Sequence, residues 1–273
     1  MMAPQALSCE ENRATKRSVR VVAVTQSDPF FTGAFFASFI EEITNDRVQL
    51  VEIVLLPNFN ESKAALVLRL TRLYGIVNFF RLVGRYVVAR FNDLTGAPRT
   101  VEAIAARGGI PVRRLRTINS SGYLTRLARQ RVDVLLSVAA PEIFGKEALG
   151  AAPLVLNVHS GKLPEYRGMM PTFWALYNGD EQIVVTVHEM AEKVDAGAVV
   201  AEFPLRVEPG DSAFELAVRA KRVAGREVAR LLARLETGSW PEPRPVAIDD
   251  GTYYRFPKRV HARRLRSGGR RML

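Results

Sequence analysis

The chain is predicted to fold as an α/β protein, a doubly wound, mostly parallel sheet with a small C-terminal extension. Short apolar runs rich in valine, isoleucine and leucine alternate with segments of helix length, the alternation that βαβ units require because each parallel strand is followed by a crossover. With 48% hydrophobic residues over 273 positions, the chain can bury one large core and leave a short extension beside it. Polar residues able to do chemistry also stand at the ends of apolar runs, where open α/β sheets bind their ligands.

The elements follow in order. Residues 1–18, MMAPQALSCEENRATKRS, lack the apolar stretch of a secretory signal and read as a disordered tail. The catalytic domain is expected over 19–236 and a linker with a basic extension over 237–273. Cys9 is the single cysteine, so neither a disulfide framework nor a cysteine metal cluster is available, as suits a reducing cytoplasm. Val21 to Val24 reads as a buried strand, Gly33 to Ile43 as a helix and Leu50 to Leu56 as a second strand. The turn after the first strand, Thr25 to Thr32, is TQSDPFFT rather than G-x-G-x-x-G, which argues against a dinucleotide site. Val101 to Ala106 and Gly122 to Arg129 are helix candidates, Ile110 to Val112 and Val132 to Val138 strand candidates.

Between the second strand and the Val101 helix, residues 63–91 form an amphipathic insertion. Leu66, Leu70, Leu73, Val77, Phe80, Val87 and Phe91 recur mostly at spacings of three and four, one stripe of a long helix or a helix pair. Gly75 and Gly84 are candidate breaks. Arg69, Arg72, Arg81, Arg85 and Arg90 interrupt any run of the ~20 apolar residues that a bilayer span needs. Two readings remain: packing against the domain or a dimer mate, which is favoured, and lying on an anionic membrane surface.

Residues 156–168, LNVHSGKLPEYRG, carry the chemistry. Side chains two apart on a strand project the same way, so Asn157 and His159, at the end of the run Pro153 to Leu156, point together. A second strand is expected over Ile183 to Val187 and a third over Ala198 to Phe203, with Val194-Asp195-Ala196-Gly197 as the loop between them. Phe173 and Trp174 read as packing a helix onto the sheet. Asp211-Ser212-Ala213-Phe214-Glu215 is a capping-box pattern opening a helix to about Leu235. The prolines of 238–245 then impose an extended linker, and Tyr253, Tyr254 and Phe256 are candidates for a small β element.

The series NVHSGKLPEYRG, MMPTFWALYNGD and VTVHEMAEKVDAGAVV resembles the core of the folate-dependent formyltransferases, with their N-x-H, LPxYRG and D-x-G segments in fixed order. The resemblance is strong from Val132 to Leu205 and loose elsewhere. It implies catalysis by Asn157, His159 and Asp195, with N10-formyltetrahydrofolate as co-substrate. It also implies pterin contacts along Ser137 to Phe144, with Ala139, Ala140, Pro141 and Ile143 as the candidates. For the acceptor pocket it points to Ser160, Lys162, Tyr166, Arg167 and His188. Ser160-Gly161-Lys162-Leu163-Pro164 departs from the common Ser-Leu-Leu-Pro, a difference on the acceptor side. The family's folate pool implies the cytoplasm.

Formyl transfer needs these residue types. An amine attacking the formyl carbon generates an oxyanion beside a newly protonated nitrogen. An Asn amide can donate to the oxyanion, a contribution on the order of 3 kcal/mol for such donors elsewhere. An imidazole can relay the proton, about 10²- to 10⁴-fold in rate. A carboxylate at Asp195 can orient the imidazole or favour its charged form. No H-x-x-x-H and no cysteine pair supports a metal site.

The formal net charge is +11 and the pI about 10.2. Eight cations fall between Arg255 and Arg271, a run that is either solvated or able to meet phosphates, and His261 among them reads as solvated. The segment after Trp240 is too short for the C-terminal barrel of methionyl-tRNA formyltransferases, and no regulatory domain fits before Val21. Glycinamide ribonucleotide enzymes usually carry a Gly-Ser-Asn-rich turn after the first strand, absent here. The expectation is an N-formyltransferase for a small-molecule primary amine, most plausibly a nucleotide-linked amino sugar. A methionyl-tRNA formyltransferase-like enzyme and a catalytically silent basic binding protein are the alternatives. A homodimer is open, and nucleic acid or membrane partners are not favoured.

Overall fold

The computed structural model describes residues 17–28, 30–43, 47–57 and 63–273. Residues 1–16 of the expected N-terminal tail, Cys9 included, lie outside them. The first half runs β1 (Val19–Gln26), α1 (Thr32–Glu42), β2 (Val48–Leu56), α2 (Lys63–Tyr74), α3 (Ile76–Leu94), α4 (Val101–Arg107), β3 (Val112–Arg114), α5 (Ser121–Arg129) and β4 (Val134–Ser137). Then come α6 (Lys146–Leu149), β5 (Leu154–His159), β6 (Arg167–Gly168), α7 (Pro171–Asn178), β7 (Gln182–Glu189), β8 (Val199–Arg206), α8 (Ala213–Glu236), β9 (Tyr253–Tyr254) and α9 (Arg259–Ser267).

Seven strands form one sheet in the order β3-β2-β1-β4-β5-β7-β8. The first five are mutually parallel, and β7 runs antiparallel to both of its neighbours. This is the mostly parallel α/β sheet that the alternating runs predict. The order reverses between β1 and β4, a topological switch point whose carboxyl ends form the usual ligand crevice. Both faces are covered. Val21, Ala23, Ile53, Leu55 and Leu136 face α1 and α8, whereas Val22, Val24, Val54, Leu56 and Leu135 face Ile118, Tyr123, Leu127 and Phe144. Strands buried on both faces read as continuous apolar runs, which is why β1, β2 and β4 stand out in the sequence.

Helix α8 is capped as its sequence predicts. The Ser212 Oγ accepts from Glu215 N at 3.1 Å, and the Glu215 carboxylate accepts from Ser212 N at 3.1 Å. Gly225 of α8 lets α1 lie against it, since a Cβ there would meet Phe35 O at 2.3 Å and Phe39 N at 2.9 Å.

Three expectations need correction. The edge strand β3 is Val112–Arg114, not Ile110 to Val112, because pairing with β2 begins at Ile53 and Val112. The insertion breaks at Gly75, whose φ of 83° is left-handed, and not at Gly84, which sits inside α3. Its stripe is not packed against the domain throughout: Leu73 is buried, but Val77, Phe80, Val87 and Phe91 are exposed, and α3 buries Leu82 and Ala89 instead. Among the described residues no helix is long and apolar enough to cross a membrane.

The segment after Glu236 is built into the same core. β9 pairs with β6, and Ala262, Leu265 and Met272 join the main apolar cluster. His261 is not simply solvated: its ring lies 4.8 Å from that of Trp174, and its Nδ1 accepts from Lys258 N at 3.0 Å at the start of α9.

Two glycine substitutions should move stability in opposite directions in urea unfolding. Gly225→Ala forces α1 from α8 and should cost about 1–3 kcal/mol. Gly84→Ala, with nothing within 4 Å of its new Cβ, should gain up to about 1 kcal/mol from helix propensity.

Candidate active site

Asn157 and His159 end β5, the last parallel strand before the antiparallel pair. Asn157 is in register with Ser137 of β4 and His188 of β7, and His159 with Thr186. The β5–β7 pairing therefore sets His188 beside Asn157, and the turn from β7 to β8 brings Asp195 over the same strand end. Gly197 permits that turn, because a Cβ there would meet Glu189 O at 1.8 Å. This close approach is what the glycine of the D-x-G segment does here.

The four polar groups form one connected cluster. His188 Nδ1 lies 2.7 Å from Glu189 O; since a carbonyl only accepts, Nδ1 carries a proton, and the Nδ1–H tautomer offers Nε2 as an acceptor. Asn157 Nδ2 donates to that Nε2 at 3.1 Å, which assigns the amide orientation and leaves its second N–H uncommitted to His188. His159 Nε2 is 2.6 Å from Tyr166 O and by the same logic donates to it. Its other nitrogen, Nδ1, faces Asp195 Oδ1 at 3.7 Å, and His188 Nε2 is also 3.7 Å from that oxygen. Asp195 Oδ2 accepts from Gly168 N at 2.7 Å. His159, His188 and Asp195 are buried, whereas Asn157 is half-buried at the mouth of the cluster.

Burial pushes His159 below its ordinary 6.5, opposed by the Asp195 charge and the bond to Tyr166 O. Burial would raise the Asp195 carboxyl, but the His159 and His188 rings and the Gly168 amide outweigh it and hold the group at about 2. At neutral pH the site is a neutral His159 against an ionised Asp195. A proton arriving at His159 Nδ1 points at that carboxylate, so the pair is arranged to accept one.

The other candidates divide. Ala139, Ala140 and Pro141 follow β4 beside Asn157 and are half-buried, and Ile143 is 64% exposed. Ala139 has a φ of 52°, and the loop is braced by Glu142, which accepts from Ile118 N at 2.9 Å and Asn119 Nδ2 at 3.0 Å. Ser160 is buried beside His159, and its Oγ finds no hydrogen-bond partner among the described residues. Tyr166 uses its main chain on His159 and donates its hydroxyl to Asp180 Oδ2 at 2.6 Å, its ring stacked on Tyr254 at 5.5 Å. Lys162 pairs with Glu165 at the surface. These two, with Tyr166, Asp180, Asp250, Thr252 and Tyr254, line an open depression of about 360 Å³.

Two candidates sit differently from the acceptor-pocket expectation. Arg167 does not line that depression: its Nη2 donates to Val194 O at 2.9 Å, pinning the Asp195 loop. His188 lies inside the cluster, between Asn157 and Asp195. Sequence reasoning also missed Asp180 and the depression's wall from residues 250–254. The second of these reaches the site through β6–β9 pairing: the sequence marks Tyr253 and Tyr254 as a β element, but not the strand they join. Trp174 packs α7 into the core as expected, and its Nε1 donates to Arg255 O at 3.1 Å, fastening the C-terminal segment.

Residues 100–232 match the family model described as formyl transferase, just under half of the chain and spanning the whole cluster. The fold is that of formyltransferases of known structure. Glycinamide ribonucleotide transformylase 1 from Symbiobacterium toebii is 16% identical, with a TM-score of 0.59 covering 88% of this chain and 100% of that one. A sugar N-formyltransferase from a Shewanella species is 16% identical, with a TM-score of 0.55 over 91% of this chain and 87% of that one. WlaRD, a sugar 3N-formyltransferase solved with dTDP and 5-N-formyl-THF, is 13% identical, with a TM-score of 0.54 over 86% and 69%.

The pKa shifts make the fold acid-labile in two stages. Both groups have folded values below their unfolded ones, so each contributes stability above its unfolded value that is lost as pH falls. For His159 the loss should start near 6.5, and for Asp195 it should run from 3.8 towards about 2. Unfolding free energy measured against pH should decline in the first window for the native chain and stay flatter there for His159→Gln.

Proposed function

We propose that the protein is an N-formyltransferase that moves the formyl group of N10-formyltetrahydrofolate to a small-molecule primary amine. The observation that carries this reading is the connected Asn157–His188–Asp195–His159 cluster at the carboxyl end of β5, inside the segment that matches the formyl transferase family.

The residues fit the co-substrate. Beside Asn157 the loop after β4 offers half-buried alanines, a proline and an exposed isoleucine, apolar surface for a flat heterocycle, with main-chain groups for its polar edge. Ala139, Ala140, Pro141 and Ile143 would hold the pterin. When bound, the co-substrate supplies an activated one-carbon acyl group. The Asn157 amide, oriented by His188, donates its second N–H to the acyl oxygen as negative charge develops there. His159 takes the proton shed by the attacking nitrogen and would return it to the co-substrate nitrogen as that nitrogen's bond to the formyl carbon breaks and tetrahydrofolate leaves; Asp195 stabilises the imidazolium in between and keeps the ring in place. Tyr166 O holds the opposite edge of the ring, and Arg167 keeps the Asp195 loop down.

On the acceptor side, Glu165, Asp180 and Asp250 outnumber Lys162 around the depression. That wall suits an amine that arrives as an ammonium, and the stacked Tyr166 and Tyr254 rings offer a face to a sugar or base. The amino-sugar class, carried on a nucleotide, fits this wall and agrees with the sugar N-formyltransferases among the structures that share the fold. The folate pool puts the reaction in the cytoplasm.

Incubation with N10-formyltetrahydrofolate and nucleotide-linked amino sugars, glycinamide ribonucleotide and methionyl-tRNA as acceptors should release tetrahydrofolate, fastest with the amino sugars. His159→Ala should lower kcat at least ~10²-fold and Asn157→Ala about 10²- to 10³-fold. Native rates in both variants would dismiss the cluster, and preference for the ribonucleotide or the tRNA would dismiss the sugar.

A further inference from the structure

Helix α3 carries an apolar face that the fold leaves open. At 100° per residue, Ile76, Phe80, Val83, Val87, Phe91 and Leu94 fall on one side, each 42–85% exposed. Leu82 and Ala89, the buried residues of this helix, lie on the opposite side. The open face therefore points away from the body. Nineteen residues at 1.5 Å each make it about 28 Å long.

Basic residues border this face on both flanks. By the same geometry Arg90 lies along one edge of the stripe and Arg81 beyond the other, whereas Arg85 turns toward the body and stacks on the Phe214 ring at 4.8 Å. Over residues 63–94 six cations stand against one carboxylate, Asp93, which Arg90 already engages at 3.4 Å. The basic C-terminal segment adjoins: Arg266 donates to Tyr74 O at 3.2 Å, and Arg271 shares a surface depression with Arg81 and Arg85.

We propose that α3 docks this protein on an anionic lipid bilayer, lying in the headgroup region with its apolar stripe down and its arginines on the phosphates. The pattern is that of interfacial helices: aliphatic and aromatic residues on one side, cations at the border, no span across the membrane. Charge decides against a second copy of the chain. Two such faces would bring like-charged arginine rows and basic tails together, whereas an anionic surface neutralises both, at about 1 kcal/mol per cation near the lipid. RNA would satisfy the cations but leaves the apolar stripe in water. The inference stands apart from the catalytic reading.

Cosedimentation of the full chain with vesicles tests it. The chain should pellet with phosphatidylcholine vesicles containing phosphatidylglycerol, stay in solution with pure phosphatidylcholine, and be released as salt rises through the physiological range. The triple variant Phe80→Glu, Val87→Glu, Phe91→Glu changes only exposed positions. It should keep native circular dichroism and lose vesicle binding at least ~10-fold. A Phe80→Trp variant gives an independent readout, an emission shift to shorter wavelength on anionic vesicles. Three results overturn the proposal: no pelleting at low salt, equal binding by the triple variant, or a native dimer by light scattering that the triple variant abolishes while neither form binds vesicles.

Discussion

The buried carboxylate of Asp195 is the constraint on which the site depends. An ion 9% exposed is stable only if the fold surrounds it with partners. The Gly168 amide of β6 donates to it directly and His159 at the end of β5 faces it as the group that can take a proton, while His188 near the end of β7 closes the third side. Asp195 itself sits at a φ of 51°, a left-handed conformation that its surroundings must enforce. Arg167 does part of this from outside by holding Val194 O, and Gly197 does part from below by letting the turn close on Glu189. The neighbouring Gly168 has a φ of 95° and would place a Cβ 2.2 Å from Tyr254 O. The C-terminal β9 is thus tied to the same knot.

From this arrangement follows a division of labour between two histidines. Both rings have one nitrogen committed to a main-chain carbonyl, so the tautomers are set by the backbone rather than by solvent. His188 uses its remaining nitrogen to orient an amide. His159 turns its remaining nitrogen to a carboxylate, which leaves it neutral in a buried place yet stabilised once charged. An imidazole in that condition takes up a proton only against the penalty of burial, with the carboxylate offsetting part of it, and so returns the proton readily.

The central strands were legible because they are buried on both faces and so appear as unbroken apolar runs. Strand periodicity puts Asn157 and His159 on one side, but it was the resemblance of N-x-H, LPxYRG and D-x-G to the formyltransferases that singled out these two and Asp195, and the fold brings all three together. β3 was misplaced for a physical reason. Its residues Val112-Arg113-Arg114 look like surface, yet Arg113 pairs at 2.9 Å with Glu52, a charge buried among the apolar residues of β2. Tyr123 completes that pair with a hydrogen bond at 3.0 Å. A charge compensated across strands has no signature in either strand alone. His188 was assigned to the acceptor wall because only the antiparallel β5–β7 register reveals that it stands opposite Asn157. The α3 stripe shows the converse error, since periodicity reports that a helix has an apolar side but not which way that side points.

The orientation of α3 is decided by what the sheet needs. The crossover from β2 to β3 is served by α4, whose Val101, Ile104 and Ala105 are buried against α1 and the sheet. Helices α2 and α3 lie outside that unit. α2 contributes Leu73 and Tyr74 to the core and a seat for α9, while α3 contributes little more than Leu82 and Ala89. A helix held by so small a contact face could carry a polar outer side at no loss to the core. Each exposed aliphatic or aromatic residue instead keeps apolar area in water at about 25 cal/mol per Å², and a contiguous patch of this kind marks an interaction site rather than a packing requirement.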